Sequence, residues 1–584
     1  MIIINKKDNS FKFFIKFMLK NKMLLSLIFV LNILSMIFNI VEPLLAKQIL
    51  DISLTLQTLQ DLIIPSLCWF CIFCIRYLTV YISKKNILNY NLNIYKEIRQ
   101  FIFADILKKP LSFFQKNSPA YILSRCNNDI SNLEGMMLSN LITGFLSILQ
   151  ILIIIILMIK INMILTFIVI LLECIILYIQ FAFPLKKIYR EHNEALANMD
   201  KKVQDIFNCI KLVKSANNNK KEEQYYQNIL KRYLEKRYKK DNFNIIRMIV
   251  TGFSMNFIYP AIVITGGVFI YFNLITVGAI MAFIMYFQKI NALFNEAFSF
   301  IPLYKIAKVS ADRLYEIISV KNENIETDII KEKININQVI VINKINFSYN
   351  NKKILNDFSM KIYPNKVNVL IGVSGVGKST LVNLLMGFIK ADSGTIYINN
   401  KDISNYRVSD IRNSIALLSQ ESILLQRTVR ENILYETNDI LTDDEKISVI
   451  LGKAKAEEFI IKLPNKLDYM LTDNGNNFSG GERQRLCLAR ELLKDAEVYI
   501  FDEATSALDI ETERIILQTI KELAKTKTVI MITHKLENTK IADIINVMDN
   551  GKICESGSYD ELINKKGSFF NLLQMNKKEN GLVL

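Results

Sequence analysis

The sequence predicts a multidomain chain, in which a six-helix all-α transmembrane domain is followed by an α/β domain with a phosphate-binding loop. Long apolar runs occur only before residue 300, and short β-branched runs alternate with helical segments after residue 334. Of the 584 residues, 51% are hydrophobic and 22% are charged, which is too apolar for a disordered chain. With 9 prolines and 8 cysteines, collagen-like and disulfide-rich classes are also excluded.

Positive charge is concentrated in the first half of the chain. Residues 1–330 contain 38 Lys and Arg against 23 Asp and Glu, so they carry almost all of the net charge of +16. Because the same half contains the apolar runs, the charge indicates contact with membrane lipids, and no nucleic-acid partner is expected. The basic run 231–240 is interpreted as a solvated helix face or a lipid-headgroup contact.

Six apolar stretches approach the roughly 20 residues that a helix needs to cross a bilayer. They are placed at about 23–45, 61–82, 137–159, 161–183, 248–271 and 274–290. The third and fourth are separated by a very short connection and must form a hairpin. Before the first stretch, residues 10–20 alternate aromatic and lysine positions in a way that fits an elbow helix in the membrane interface.

The charges of the connections predict the orientation. The connections 83–136 and 184–247 are rich in Lys and Arg, whereas 46–60, 160–162 and 272–273 carry only Lys47 and Lys160. By the positive-inside rule, both termini and the α/β domain are cytoplasmic in a multi-pass protein of the cell membrane. The two long connections show helical spacing and are expected to continue as helices beyond the bilayer.

Three polar residues of the first half allow two readings each. Glu173 lies near the middle of the fourth stretch, where a carboxylate serves a substrate or ion pathway or is paired or neutralised structurally. Arg76 is closer to the end of its stretch and is expected to snorkel, with a substrate role as the alternative. His192 is expected to be solvated on a cytoplasmic helix rather than a ligand.

The pattern divides the chain into a transmembrane domain over 1–320, a linker over 321–334 and a nucleotide-binding domain over 335–584. The last contains a complete G-x-x-x-x-G-K-S motif between a buried strand and a helix. Its glycines bring backbone N–H groups close to phosphate oxygens, and its lysine neutralises the outer phosphates. The phosphate-binding residues are Gly372, Ser374, Gly375, Val376, Gly377, Lys378, Ser379 and Thr380.

A second apolar run, 498–501, ends in two carboxylates. Asp502 is placed to hold Mg²⁺ together with the hydroxyl of Ser379, and Glu503 is placed to polarise the water that attacks the terminal phosphate. An acidic pair after a strand is weak evidence alone. It gains weight here because the same chain supplies the phosphate loop.

The segment Ser479-Gly480-Gly481-Glu482 resembles the signature motif of ATP-binding cassette (ABC) proteins. The order of motifs along the chain is also similar to that family: phosphate loop, Gln420, signature, acidic strand, Asp509 and His534. With six preceding spans, the whole chain resembles an exporter-type (type IV) half-transporter. The resemblance implies an α/β P-loop ABC ATPase domain that uses ATP and Mg²⁺.

The resemblance also implies roles for individual residues. Tyr349 would stack on adenine, Gln420 would sense the Mg²⁺ and nucleophile region, and His534 would contact the γ-phosphate. The resemblance places Gln420 with Glu503 and His534 in catalysis. The residues that would contact ATP across a subunit boundary are Ser479, Gly480, Gly481 and Asp509. A second half-transporter is therefore expected, as a homodimer or a heterodimer.

Two positions depart from the family pattern. Glu482 replaces the commoner Gln of the signature, which places a negative charge near phosphate. Asp473 stands where exporters often carry Glu, so the carboxylate is one methylene shorter. Coupling to the membrane helices is expected through segments near Phe113–Ala120 and Ile206–Leu212 beside Gln420.

The function expected from these features is ATP-driven export of a peptide, lipid or drug-like hydrophobic solute by alternating access. An importer built on the exporter fold, for example of metal chelates, shares every motif and would be separated by the direction of transport. An ATP-gated channel or sensor is the other alternative. ATPase activity that is never coupled to solute flux would favour it.

Overall fold

A computed structural model describes residues 10–54, 59–133, 137–181, 185–323, 334, 336–349, 352–373, 375–437, 443–505 and 508–579. The chain divides into two compact units. The helical unit comprises residues up to 104 together with 122–319, and the α/β unit comprises residues 105–121 together with those from 320 onward. The predicted fold class, an all-α region followed by an α/β domain, is confirmed.

The helices of the first half are long, and several continue well beyond the predicted apolar stretches. Their bounds are α1 Ser10–Met18, α2 Lys22–Leu54, α3 Leu59–Ile106, α4 Leu111–Lys116, α5 Pro119–Ser124, α6 Ile130–Asn132, α7 Leu138–Ile161, α8 Met163–Phe181, α9 Leu185–Asn208, α10 Ile210–Ser215, α11 Asn219–Tyr271 and α12 Val277–Ser319. In α3 the extension is stabilised by Ile94, Ile98 and Ile102, which repeat every four residues and are buried.

Membrane-crossing capacity is clear for four segments among the described residues. These are Lys12–Leu54, Asp61–Ile106, Leu138–Ile161 and Val277–Phe294. Met163–Ile175 and Asn256–Tyr271 are apolar but shorter. Six spans therefore remain a prediction that these helices fit.

Helix α1 buries its aromatic face against protein. Phe13 and Phe17 contact the ring of Phe101 on α3, with centroid distances of 5.6 and 5.3 Å. Lys12 and Lys16 remain exposed, and Lys20, just beyond the helix, pairs with Glu97 on α3 at 2.7 Å. The interfacial helix predicted here thus has an apolar face that is already covered by α3.

Arg76 does not snorkel toward a helix end. Its Nη1 donates to Asn39 Oδ1 at 2.8 Å and lies 3.3 Å from Glu42 Oε2. A carboxylate and an amide on the neighbouring helix therefore replace the water that snorkelling would have reached.

Two further polar side chains, those of His192 and Glu173, are buried. His192 is 8% exposed and its ring lies 5.6 Å from that of Tyr233, so the prediction of a solvated histidine is wrong. The reason is that α9 and α11 pack along their length. Glu173 is buried in α8, and its Oε2 has no hydrogen-bond partner among the described residues.

The α/β unit contains two sheets within the described ranges. An antiparallel sheet has the order β2-β1-β4-β5, and a mixed sheet has the order β10-β9-β3-β8-β7-β6. The strands are β1 Ile340–Tyr349, β2 Lys352–Ile362, β3 Val367–Gly372, β4 Ser393–Ile398, β5 Lys401–Asp402, β6 Ile415–Leu418, β7 Val498–Asp502, β8 Thr528–Ile532, β9 Ile544–Asp549 and β10 Lys552–Gly557. The helices are α13 Lys378–Leu385, α14 Val408–Ser414, α15 Val429–Ile433, α16 Asp444–Lys453, α17 Glu457–Ile460, α18 Gly480–Leu493, α19 Ile510–Leu523, α20 Tyr559–Lys565 and α21 Ser568–Glu579.

The order of the central strands determines where the site forms. Strands β3, β8 and β7 are parallel neighbours, and β3 and β8 are buried along their whole length. Their carboxyl ends therefore meet at one edge of the sheet, where open α/β sheets bind ligands. The phosphate loop, His534 and the acidic pair all follow these three strands.

Candidate active site

The phosphate loop turns sharply between β3 and α13. Gly375 and Gly377 have φ values of +83° and +111°, a backbone region that favours glycine. A Cβ atom on Gly372 would lie 2.4 Å from the carbonyl oxygen of Met548. Thus the loop can follow this path only with glycine at these positions.

Lys378 is buried at the start of α13 and folds back over the loop. Its Nζ donates to the carbonyl oxygens of Gly372 at 2.7 Å and Val373 at 3.1 Å. Burial lowers the pKa of Lys378, while the Glu503 and Asp502 carboxylates oppose that shift. The cation is therefore positioned between the loop and the acidic pair.

Backbone geometry fixes the direction of Glu503. Glu503 has a φ of +53°, which is uncommon for residues other than glycine. Its N–H donates to the Ile532 carbonyl at 3.0 Å, and its own carbonyl accepts from Gln484 Nε2 at 3.2 Å. Two neighbouring elements thus hold the strained turn that follows β7.

The carboxylate of Glu503 is bound on both sides. Gln420 Nε2 donates to its Oε2 at 2.9 Å, and His534 Nε2 lies 3.0 Å from its Oε1. The side chain of Glu503 is 19% exposed and that of His534 is 40% exposed. The structure therefore brings the three predicted catalytic residues into direct contact at the sheet edge, where solvent can reach them.

The remaining residues at this edge fit a divalent cation. Burial and the adjacent Glu503 carboxylate raise the pKa of Asp502, with Lys378 acting in the opposite direction. A carboxylate in this setting gains from a positive partner such as Mg²⁺, which prefers oxygen ligands. Ser379 is exposed at the first turn of α13, so its hydroxyl can supply a further oxygen.

Ser479 and Glu482 form a capping box at the start of α18. The Ser479 N–H and hydroxyl both lie 2.8 Å from Glu482 Oε2, and the Glu482 N–H donates to Ser479 Oγ at 3.3 Å. Glu482 therefore closes the amino end of the helix, in the Ser-x-x-Glu pattern typical of a capping box, a contribution that the comparison with the family pattern alone left out. Gly480 and Gly481 form the first turn behind this cap.

Other predicted site residues lie in separate places. Tyr349 ends β1, is 37% exposed, and packs its ring edge against Phe347. Asp509 accepts from the Thr512 N–H at 3.0 Å and caps α19, and this hydrogen bond lowers the pKa of Asp509. Val376 is half-buried and Thr380 is buried beside the loop. Ser374 lies outside the described residues.

The signature residues do not join the phosphate loop of their own chain. Among the described residues, every hydrogen bond of Ser479 is made within residues 479–483. Asp473, the second departure from the family pattern, is likewise exposed. The amino end of α18 thus offers backbone N–H groups that no hydrogen bond joins to the described part of the phosphate loop.

A polar clamp within the α/β unit joins residues 105–109 to the start of the linker. Lys109 Nζ contacts Asp105 Oδ2 at 2.8 Å, the Val320 carbonyl at 2.7 Å and Asn322 Oδ1 at 2.7 Å. The Glu323 N–H donates to the Lys108 carbonyl at 2.8 Å. The clamp thereby ties the chain that follows α12 to the chain that follows α3.

The clamp continues to helix α14 through Arg412. Its Nη1 and Nη2 donate to the two oxygens of Glu323 at 2.9 and 2.7 Å. Helix α14 leads directly into β6, which ends just before Gln420. Sequence reasoning missed this contact because its partners are 89 residues apart. It also missed Gln484, which donates to the Glu503 carbonyl.

Comparisons with known proteins cover both units. A family model described as the ABC transporter transmembrane region matches residues 25–293, and one described as ABC transporter matches residues 355–506. The ATP-binding/permease protein YgaD of Bacillus subtilis (strain 168), named for multidrug export, is 30% identical over 481 residues, which is 82% of each chain.

Two further similarities extend this picture. An ATP-dependent lipid A-core flippase of Syntrophus aciditrophicus (strain SB) is 27% identical over 491 residues, covering 83% of this chain and 80% of the flippase. A solved structure of a bacterial Atm1-family ABC exporter with ATP bound has a TM-score of 0.78 and 19% identity, and the match covers 95% of this chain and 98% of that one. The last similarity concerns the fold alone.

Proposed function

The chain belongs to the ABC transporters, and on this premise we propose that two copies of it form an exporter whose two ATP sites each draw on both copies. ATP hydrolysis coupled to transport is the activity of this family and of this membrane protein. The proposal concerns the residues that perform it, the assembly, and the solute.

The contact of Glu503 with Gln420 and His534 carries the proposal. Glu503 acts as the general base that orients and polarises the attacking water, and His534 contacts the γ-phosphate once ATP is bound. Gln420 detects the state of the same centre. Gln420 and His534 both contact the Glu503 carboxylate directly. Binding and release of the nucleotide must therefore change the hydrogen bonds of all three side chains together.

ATP and Mg²⁺ are held by the residues at the carboxyl ends of β3 and β7. The loop from Gly372 to Thr380 binds the phosphates, and Lys378 neutralises the outer ones. Ser379, Gln420 and Asp502 would hold Mg²⁺, which supplies positive charge to the phosphate oxygens. Tyr349, exposed at the end of β1, stacks on the adenine.

The dimer follows from the signature residues. Ser479, Gly480 and Gly481 begin α18 at an anion-binding helix end, yet among the described residues no hydrogen bond joins them to the phosphate loop of their own chain. A second copy that supplies its phosphate loop completes each site, and Asp509 lies at the same boundary. The capping box supports a tolerated Glu482 at this place, since it stabilises the helix that presents these groups.

The transported solute is proposed to be a hydrophobic peptide, lipid or drug-like molecule. Support comes from two relatives, which are named for multidrug export and for flipping lipid A-core. Transport is outward, with both termini and the α/β unit in the cytoplasm. Uptake of solute into inside-out vesicles on addition of ATP tests this direction, and ATP-driven release from such vesicles would contradict it.

Coupling is proposed to pass through Phe113–Ala120 and Ile206–Leu212. The first segment includes the last four residues of α4, and the α/β unit contains it together with the Arg412 clamp. The second includes the start of α10. Closure of the ATP sites would move these segments and the helices that carry them.

Replacing Glu503 tests the proposed base. Glu503→Gln retains the size and most hydrogen bonds of the side chain but cannot accept the water proton, so ATPase activity of the purified dimer should fall by about 10²-fold or more. ATP should still bind and stay occluded. Glu511→Gln, the same chemical change at an exposed position of α19, serves as the control. Rapid ATPase activity in Glu503→Gln would refute the assigned role.

A further inference from the structure

A cluster of charged side chains lies inside the helical unit and takes no part in the ATPase chemistry. Lys289 on α12 contacts Glu42 Oε2 at 2.7 Å and Asn39 Oδ1 at 2.5 Å. Arg76 on α3 contacts the same two side chains, at 3.3 and 2.8 Å. We define Asn39, Glu42, Arg76 and Lys289 as the intramembrane cluster.

The cluster lies well inside the outer ends of α2 and α12. The ends of α2 and α12 meet where Asp51 accepts hydrogen bonds from Thr276 and Gly278. Glu42 is twelve residues from the end of α2 at Leu54, and Lys289 is twelve residues from the start of α12 at Val277. At 1.5 Å per residue both lie roughly 18 Å inside those ends, within a hydrocarbon layer about 30 Å thick.

The charges of the cluster do not balance. Glu42 is a single carboxylate in contact with two cations, and it attracts Lys289 while Arg76 repels it. The other acidic residues in or next to the described spans lie elsewhere: Asp51 binds the start of α12, Asp61 is in the first turn of α3, Glu173 is in α8, and Glu296 accepts from the Ser147 hydroxyl on α7. The cluster therefore carries a surplus positive charge.

Arg76 keeps unused donors that a ligand can reach. The recorded hydrogen bond and ion pair of its guanidinium both involve Nη1, so Nε and Nη2 have no acceptor among the described residues. The side chain is 18% exposed and lies over the ring of Tyr77 at 4.8 Å, which fixes its plane. A planar guanidinium with a free edge suits bidentate binding of a carboxylate or phosphate.

A cation at this depth is too costly to face lipid, so it must face protein or a water-filled cavity. We propose that the intramembrane cluster binds the anionic group, phosphate or carboxylate, of the transported solute, with Arg76 as the principal contact and Lys289 as the second charge. The inference rests on the proposed transport function and narrows its solute to anionic amphiphiles. Glu42 orients the two cations and limits their affinity.

The chain contains a built-in reporter for this site. Its one tryptophan, Trp69, lies seven residues before Arg76 on α3. Seven residues are two helical turns, so Trp69 is on the same side of the helix and about 10 Å away along the axis. Tryptophan fluorescence therefore reports ligand binding independently of ATP turnover.

The test titrates dodecyl phosphate into the full-length dimer in nanodiscs of phosphatidylcholine while Trp69 fluorescence is followed. Dodecanol and dodecyltrimethylammonium, with the same alkyl chain, are the neutral and cationic controls. Phenyl phosphate separates the two sources of the anion: competition by it indicates a soluble organic phosphate, and its failure to compete indicates a lipid-like one. Basal ATPase activity is measured in the same samples.

Two variants have expected effects of opposite sign on the Kd, and a third is the control. Arg76→Gln should raise the Kd for dodecyl phosphate about tenfold or more, because charge-assisted hydrogen bonds are lost. Glu42→Gln should lower that Kd about threefold, since the surplus positive charge grows. Lys160→Gln, an equal loss of charge at the exposed end of α7, should change nothing.

A role confined to joining the helices predicts a different result. Arg76→Gln and Glu42→Gln would then both lower the melting temperature and leave the Kd for dodecyl phosphate unchanged, which would overturn the proposal. Tighter binding of dodecyltrimethylammonium than of dodecyl phosphate would also overturn it. Should Arg76→Gln not fold, the neutral exchange Glu42→Gln with Lys289→Gln retains Arg76 and must still bind dodecyl phosphate.

The same samples separate this inference from the proposed transport function. If dodecyl phosphate does not change Trp69 fluorescence while ATPase activity still responds to dodecanol, the anionic site is contradicted and the transport proposal is not. ATPase activity that responds to no solute, together with no ATP-driven solute flux, contradicts the transport proposal.

Discussion

Glu503 shows how a single residue at the ATP site depends on its backbone. Its φ of +53° points the carboxylate toward Gln420 and His534, and the Ile532 carbonyl and Gln484 side chain hold that turn. The identity of Glu503 was predictable from its position after an apolar strand. Its backbone conformation was not, because it depends on contacts with β8 and α18, which are distant in the sequence.

Glu482 leads to a prediction about ATP affinity. Glu482→Gln preserves the capping box with Ser479, because Gln also fits this motif, but removes a negative charge beside the expected γ-phosphate. A charge at a helix amino end is worth about 0.3–1 kcal/mol, so the ATP concentration for half-maximal ATPase activity should fall roughly twofold to fivefold. Glu522→Gln on the exposed surface of α19 is the control. A higher half-maximal ATP concentration in Glu482→Gln would contradict this reading.

Glu491 predicts a pH dependence of stability. Burial, together with the nearby Glu436 carboxylate, raises the pKa of Glu491 to about 7 from an ordinary value of 4.5. The folded chain therefore binds a proton more tightly than the unfolded chain, and stability falls as the pH rises between these two values. The shift corresponds to up to about 3 kcal/mol.

Thermal unfolding of Glu491→Gln checks this sign. The variant removes the ionisable group, so its melting temperature should exceed that of the parent at about pH 8 and match it at about pH 5. The exposed Glu522→Gln should show no such crossover. A variant that is less stable than the parent at the higher pH would show that the ionised carboxylate stabilises the fold.

The elements follow the hydrophobic pattern closely, and the differences occur where packing adds to it. Apolar runs predicted the centres of the long helices, and the helical spacing of the connections predicted that α3 and α11 continue beyond those runs, as they do. The burial of His192 between α9 and α11 was not predictable, since one sequence does not show which helices pair. Strands β3 and β7 were recognisable because each is a short, largely apolar run beside a motif.

The clamp between the linker and α14 yields a prediction about how these elements are coupled. Arg412→Lys keeps the positive charge but loses the paired hydrogen bonds to Glu323, so movements of the linker should no longer reach β6 and Gln420 with full effect. Basal ATPase activity should remain within about twofold of the parent, while solute-stimulated activity falls to the basal rate. Both are measured on the purified dimer.

Arg514→Lys is the matched control for this prediction, because Arg514 is exposed on α19. Equal solute stimulation in Arg412→Lys and Arg514→Lys would show that the bidentate contact is not part of coupling.

At the scale of the whole molecule, the sequence indicates the division of labour between the two units. Charge and apolar mass in the first 330 residues predict the membrane half, and the ordered motifs predict the ATPase half. The assignment of residues 105–121 to the α/β unit was not foreseeable in detail, because it depends on contacts of Lys108 and Lys109 with the linker. The intramembrane cluster was similarly hidden, since its charges come from three different helices.

Assembly of two copies is the central claim, and mixed dimers test it most directly. In a Glu503→Gln background, Lys378→Ala disables a phosphate loop and Ser479→Arg disables a signature. If each ATP site uses the loop of one copy and the signature of the other, placing the two changes on different copies damages one site and spares the other. Placing both changes on one copy damages both sites.

The measurement is the radiolabelled ATP that each purified mixed dimer retains after gel filtration. The account predicts that the dimer with the changes on different copies retains half the ATP of the parent, and that the dimer with both changes on one copy retains none. The reverse result, with ATP retained only when both changes share one copy, would contradict it, because each chain would then form its own complete site.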